Sequence, residues 1–235
     1  MFDVREELAR IPESPAEVLG IAKRFIDSWF GGVSSNDGYG RDELRLCEER
    51  IGSPIPVALR DFYALLGRRS DLLANQDPVC TPSDLSIDPS GVMVIREENQ
   101  SCALWGVGVD SESRVDPPVY IQTPVGGDAK WVMYHERLSV ALLEFLLEES
   151  MLSGAANTIH AEASPVTLSK LSESFEPLGI PRHAFWPVPD HDVTWYGDAD
   201  TLLRNDGNAW VWATSAEWSN LDFLGQWVPA GWTAL

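Results

Sequence analysis

The residues of this 235-residue chain best suited by type and spacing to do chemistry are Asp190-His191-Asp192 and Asp198-Ala199-Asp200. Oxygen ligands at that spacing could hold a divalent cation and serve a metal-dependent hydrolase. Both groups fall in a polar stretch rich in Pro and Gly, where Asp favours solvated turns by bonding its own backbone. The turn reading is preferred, and neither a metal nor a cofactor is expected. His135-Glu136 lacks the second histidine of a zinc-protease helix motif, and no Gly-X-Ser-X-Gly elbow is present. Cys47 and Cys80 have no evident histidine partner. With Cys102 they make three cysteines, far apart and without metal-site spacing, as suits a reducing cytosol. Glu48, Glu97 and Glu98 are read as a solvated helix face and as capping groups at a hairpin. Seven of the ten tryptophans lie between Trp186 and Trp232. They are read first as core, next as partner anchors, and last as a carbohydrate platform.

The elements that must position these groups follow from periodicity. Ser14-Pro15-Ala16-Glu17 has the form of a capping box, after which Val18, Ile21, Ala22, Phe25 and Trp29 mark a helical face. The loop GGVSSNDGYG reads as a flexible linker. A helix from Arg41 to Ile51 ends at Gly52. Another opens at Pro56 with Leu59, Phe62, Tyr63 and Leu66 on one face, and Gly67 can supply a left-handed stop. VMVIRE (92–97) and CALWGVGV (102–109) read as strands covered on both faces, with VYIQ (119–122) and KWVMY (130–134) continuing the sheet. Leu138, Leu142, Phe145 and Leu146 face inward from a closing helix. This order predicts an α+β fold with N-terminal helices on a mostly antiparallel sheet. Residues 1–152 form that domain, and 153–235 form a Trp-rich extension. In the extension Leu168, Leu171 and Phe175 suggest a short helix, Asp206-Gly207 turns a hairpin, and Ser215 caps a helix carrying Trp218, Leu221 and Leu224.

Several of these residues recur together in a known order. An acidic residue (Glu48) stands four before a helix-ending glycine (Gly52), followed by Ile55-Pro56 and the aromatics Phe62-Tyr63. Glu98-Asn99-Gln100 then precedes Trp105-Gly106, and Pro117-Pro118-Val119-Tyr120 follows. Over residues 40–150 this set resembles the SUKH superfamily, which includes regulators of fungal cell-wall assembly and many bacterial immunity proteins. Gly67-Arg68 departs from the Asn-Gly of many relatives. The resemblance implies a non-catalytic protein-binding module, an immunity protein that neutralises a cognate toxin by occlusion. The alternatives are a regulatory interaction module without a toxin partner, and the metal-dependent hydrolase on Asp190–Asp200.

Charge adds the partner's chemistry. There are 36 acids against 17 bases, a net charge of −19, and the last 85 residues hold 10 acids and 3 bases. Such a field repels nucleic acid and anionic membrane and speeds encounter with a cationic protein such as a nuclease toxin. The acidic N-terminus is unlike a signal peptide, and no apolar run is long enough to span a bilayer, so the expected location is cytoplasmic. Asp110, Glu112 and Asp116, in a loop between two strands, are the first candidates for the partner face. Asp198 and Asp200 are the second.

Overall fold

The computed structural model describes residues 2–110, 114–123, 130–227 and 231–235. Along the chain, α1 (Val4–Leu8), α2 (Pro15–Trp29), α3 (Arg41–Ile51), α4 (Val57–Leu66) and α5 (Ser70–Leu73) come first. Next are β1 (Ser86–Ile87), β2 (Val92–Glu97), β3 (Leu104–Gly108), β4 (Val119–Gln122) and β5 (Trp131–His135), closed by α6 (Leu138–Met151). There follow β6 (Asn157–Glu162), α7 (Pro165–Ser174), β7 (Glu176–Pro177), β8 (His183–Phe185) and β9 (Val188–Gly197). The chain then runs through β10 (Thr201–Asp206), β11 (Trp210–Ser215), two 3₁₀ turns and β12 (Thr233–Ala234). The fold is α+β, and every strand pairing is antiparallel.

Two compact units result. One comprises Pro12–Lys23 and Gly32–Ser150; the other comprises Met1–Ile11, Arg24–Gly31 and Met151–Leu235. The division after Ser150 lies beside the expected boundary at 152. The first eleven residues and Arg24–Gly31, however, group with the C-terminal segment. The reason is visible at α1, where the orphan N–H groups of Val4 and Arg5 donate to the carbonyls of Ala199 and Asp198 at 3.1 and 3.0 Å.

In the unit built on residues 32–150 the sheet order is β1-β2-β3-β4-β5. Leu59, Phe62, Tyr63 and Leu66 are all buried on α4, as their spacing predicts. Pro56 sits one place before the helix, as its N-cap. Gly67 does not supply a left-handed stop, since its φ is −61°. Glycine is needed there for space: a Cβ would lie 2.8 Å from the Tyr39 ring and 2.9 Å from the Tyr63 backbone. Nor is the loop before α3 a free linker. Tyr39 N–H donates to the Tyr63 carbonyl at 2.9 Å, and Arg68 N–H donates to that of Asp37 at 2.8 Å.

α6 is buried nearly all round, with Leu138, Leu142, Phe145, Leu146 and Leu147 at its centre. Its acids are absorbed by partners. Glu144 pairs with His135 and Glu149 with Arg96, all four side chains being almost fully buried. Trp105 on β3 meets Tyr134 and Phe145 edge to face at 6.1 Å each. The Arg96 guanidinium lies 4.9 Å from the Trp105 ring centre and 4.5 Å from that of Phe145. Its nitrogens reach Glu148 and Glu149 at 2.8 Å, and Asp77 lies 3.9 Å away. The Glu149 carboxylate also receives the N–H groups of Asn75, Gln76 and Asp77.

In the other unit the order is β12-β6-β11-β10-β9-β7, with β8 on the free part of β9. α7 and the two 3₁₀ turns cover one face, where Leu171, Phe175, Leu203, Val211, Ala213, Leu221 and Leu224 form the core. Two expectations fail here, and a third holds in part. The segment with Asp190 to Asp192 is strand, because antiparallel pairing with β8 and, from Val193 on, with β10 holds it extended. Trp218–Asn220 and Asp222–Gln226 are 3₁₀ turns instead of one helix, although the Ser215 hydroxyl receives the Glu217 N–H at 3.3 Å while donating to the Asp200 carbonyl. The core reading of the tryptophans holds for some of the seven: Trp195 is fully buried and Trp227 and Trp232 pack half-buried against the core, while Trp210 and Trp218 are 40% and 49% exposed.

Candidate functional site

Strand register places one surface group by group. On β6, β11 and β10, residues directly opposite each other share a face. Glu162 stands opposite Trp210, and Trp210 opposite Asp206. One step inward, His160 stands opposite Trp212, and Trp212 opposite Arg204. Arg204 in turn faces Trp195 on β9, its guanidinium 5.5 Å from that ring. The result is a two-by-three block with indoles in its centre column and charges on both flanks. It lies on the face opposite Leu203, Val211 and Ala213.

The inner part of the block is fixed. The Trp212 indole N–H donates to Asp206 at 2.9 Å, and Arg204 pairs with the same carboxylate at 3.0 Å. The His160 ring stacks on Trp212 at 4.8 Å and meets Trp210 at 5.5 Å. Its Nδ1 is buried and has no hydrogen-bond partner among the described residues. The outer part is open. Trp210 offers a partly exposed indole, and Glu162 beside it is exposed with no ion pair among the described residues. An indole face next to a free carboxylate is suited to a Lys or Arg side chain, held by the ring quadrupole and the negative charge together. At the same end of the sheet, His191 lies 3.4 Å from the Asn208 amide in the β10–β11 turn. Asp190 and His191 bulge out there, because β8 pairs Phe185 with Val188 and Ala184 with Asp192. Glu162 and His160 went unnoticed in the sequence; the polar 158-160-162 set alternating with Ile159 and Ala161 is the period-two signal that marks them.

The residues expected to carry function are dispersed. Asp190 and Asp192 start β9, whereas Asp198 and Asp200 follow its end. Six residues at ~3.3 Å each put Asp192 and Asp198 about 20 Å apart, too far to share one ion. The Asp198 carboxylate is occupied by the N–H groups of Asp200 and Thr201 at 3.0 and 2.8 Å, as a turn-former. Asp200 is exposed. In the other unit Asp110 is exposed, but Asp116 caps α6, holding both the N–H and hydroxyl of Ser139 at 2.6 Å. Glu112 lies outside the described residues.

The motif residues serve the fold. Glu48 receives the Ile55 N–H at 2.8 Å and pairs with Arg60, so it clasps the turn between α3 and α4 and is not a solvated face. Gly52 takes φ +72° to end α3. The buried Glu98 carboxylate receives the N–H groups of Gln100 and Cys102, closing the β2–β3 turn as a cap, and Asn99 N–H reaches Asp77 at 3.2 Å. Trp105 and Phe62 are core. Half-buried Pro118 leads into β4, where Tyr120 stands opposite Gly106.

Cys80 and Cys47 are poor nucleophiles. Burial, with help from Asp84 and Glu97, pushes the Cys80 thiol up to about 12. Burial also raises that of Cys47, which donates to the Pro82 carbonyl. Among the described residues no helix is long and apolar enough to cross a membrane. No protein-family model, no curated protein and no solved structure matches this chain.

Proposed function

We propose that the chain is a non-catalytic protein-binding module of the SUKH kind, an immunity protein that neutralises a basic toxin domain by occlusion. The observation that carries the docking face is the Glu162–Trp210 pair: an exposed indole beside an unpaired carboxylate, in a chain of net charge −19. Rigid aromatic anchors ringed by charge are the usual source of binding energy at protein interfaces. Asp190 and Asp192 extend the negative field at the same end of the sheet, and long-range attraction to a basic partner raises its encounter rate. The ordered motif set over residues 40–150 supports the immunity reading, because those residues build a frame and leave the surface free to vary with the partner.

The test is affinity capture of the partner, followed by titration with Trp210→Ala and Glu162→Lys proteins of unchanged circular dichroism. A hot-spot anchor predicts a loss of about 2 kcal/mol or more for Trp210→Ala. Equal affinity for wild type and both variants would remove this face from the interface. Binding that persists unchanged from low to high salt would remove the electrostatic part.

A further inference from the structure

A cleft of about 510 Å³ opens between α3 and α4, built from residues that the proposed docking face does not use. That volume is within the range of small-molecule sites. Tyr39, Leu44 and Ala64 give it an apolar wall. The Tyr39 ring is held by Arg68, whose guanidinium lies 4.2 Å from its centre. The rest of the lining is charged, with Arg41, Arg45 and Arg60 against Glu48 and Asp61. Three of these five are already engaged: Arg60 pairs with Glu48, and Arg45 with Glu49. Arg41 and Asp61 are exposed and have no ion pair among the described residues. Arg41 is the first residue of α3, where the positive end of the helix dipole disfavours a cation, so helix stability does not account for it. The stretch from Tyr39 to Arg69 holds six arginines against five acids, in a chain of net charge −19. An anionic group therefore meets less repulsion here than the net charge implies.

We propose that this cleft binds a small zwitterion with an apolar side chain, a free α-amino acid or a dipeptide, its carboxylate on Arg41 and its ammonium on Asp61. One unengaged cation and one unengaged anion lining the same cleft are complementary to a ligand that carries both charges. A simple anion would be repelled by Asp61, and a simple cation by Arg41, so the pair selects against either. The ligand's side chain rests on the wall of Tyr39, Leu44 and Ala64. From Arg41 to Glu48 the helix advances seven residues, about 10 Å. That length takes one or two extended residues at ~3.3 Å each, with their charged ends. The cleft is open to solvent and its charges are hydrated, so binding is weak, with a dissociation constant of about 0.1–1 mM.

The test titrates the purified full chain with phenylalanine, leucylphenylalanine, phenylacetate and phenethylamine, followed through backbone amide NMR shifts. At least one of the two zwitterions should shift the amides of α3 and α4 saturably, and the tighter of them assigns the ligand as amino acid or dipeptide. Phenylacetate and phenethylamine should each bind about tenfold more weakly, since each gives up one charge-assisted contact. Arg41→Gln and Asp61→Asn, both at exposed positions, should keep the fold and each lower the zwitterion's affinity about tenfold. Asp61→Asn should also abolish the preference for phenylalanine over phenylacetate, which a merely structural role would leave in place. No saturable shift up to about 20 mM of either zwitterion, equal binding of the singly charged probes, or variants that bind like wild type would each overturn the proposal. None of these results bears on the Trp210 face, whose variants should bind the zwitterion like wild type.

Discussion

Asp77 is the weak member of the buried cluster around Arg96, and its removal should stabilise the protein at neutral pH. One guanidinium faces three carboxylates. Two of them, Glu148 and Glu149, hold it at 2.8 Å, and Glu149 is further held by three N–H groups. Asp77 stands off at 3.9 Å and receives only the Asn99 N–H, at 3.2 Å. Burial, reinforced by the two glutamates and opposed by Arg96, lifts its carboxyl from 3.8 to about 6. The folded state therefore binds this proton more tightly than the unfolded chain does. Stability from this site is intact below about pH 4, falls as pH rises towards 6, and stays low above it. A shift of about two units corresponds to roughly 3 kcal/mol at most. Asp77→Asn keeps an acceptor for Asn99 and removes the surplus charge. Urea unfolding followed by tryptophan fluorescence should show the variant about 1–3 kcal/mol more stable at pH 7. The wild-type minus variant difference should shrink as pH falls from 6 to 4. A variant less stable than wild type at pH 7, or a difference independent of pH, would refute the reasoning.

Two further outcomes follow from packing. Phe62→Ala, at a fully buried position of α4, should cost about 3–5 kcal/mol by the same unfolding assay. Gly106→Ala should cost about 1–3 kcal/mol, because its Cβ would lie 2.4 Å from Val92 and 2.8 Å from the Met93 carbonyl; a crystal structure or thermal melt unchanged from wild type would contradict this.

Helix and strand positions up to Met151 were legible where period and punctuation agreed. Val92–Glu97 and Val119–Gln122 fall where their apolar runs stand, and Leu59, Phe62, Tyr63 and Leu66 turn one face inward. Failures came where one residue type has two physical uses. Gly67 offered a left-handed stop but serves to let Tyr39 approach. The acids of β9 suggested turns, although a strand with one solvated face accepts them equally well. The indoles of Trp210 and Trp212 suggested core by bulk alone; which face of a hairpin is covered depends on distant elements that local sequence does not name. The candidate surface was least legible of all, since it exists only through the register of β6, β11 and β10, joined across about fifty residues of chain.

The grip of Glu149 on Asn75, Gln76 and Asp77 spans 72 to 74 residues of sequence. The three amides it receives are consecutive in the chain and have no strand of their own to join. Their order thus waits on the last helix turn of the unit. During synthesis the amides of Asn75 to Asp77 find their acceptor only after α6 has emerged and docked. Non-local closure of this kind is slow relative to helix formation. The amides of Asn75 to Asp77 are therefore natural clocks for completion of the unit. In pulsed hydrogen exchange they should gain protection after those of α4, and together with those of α6.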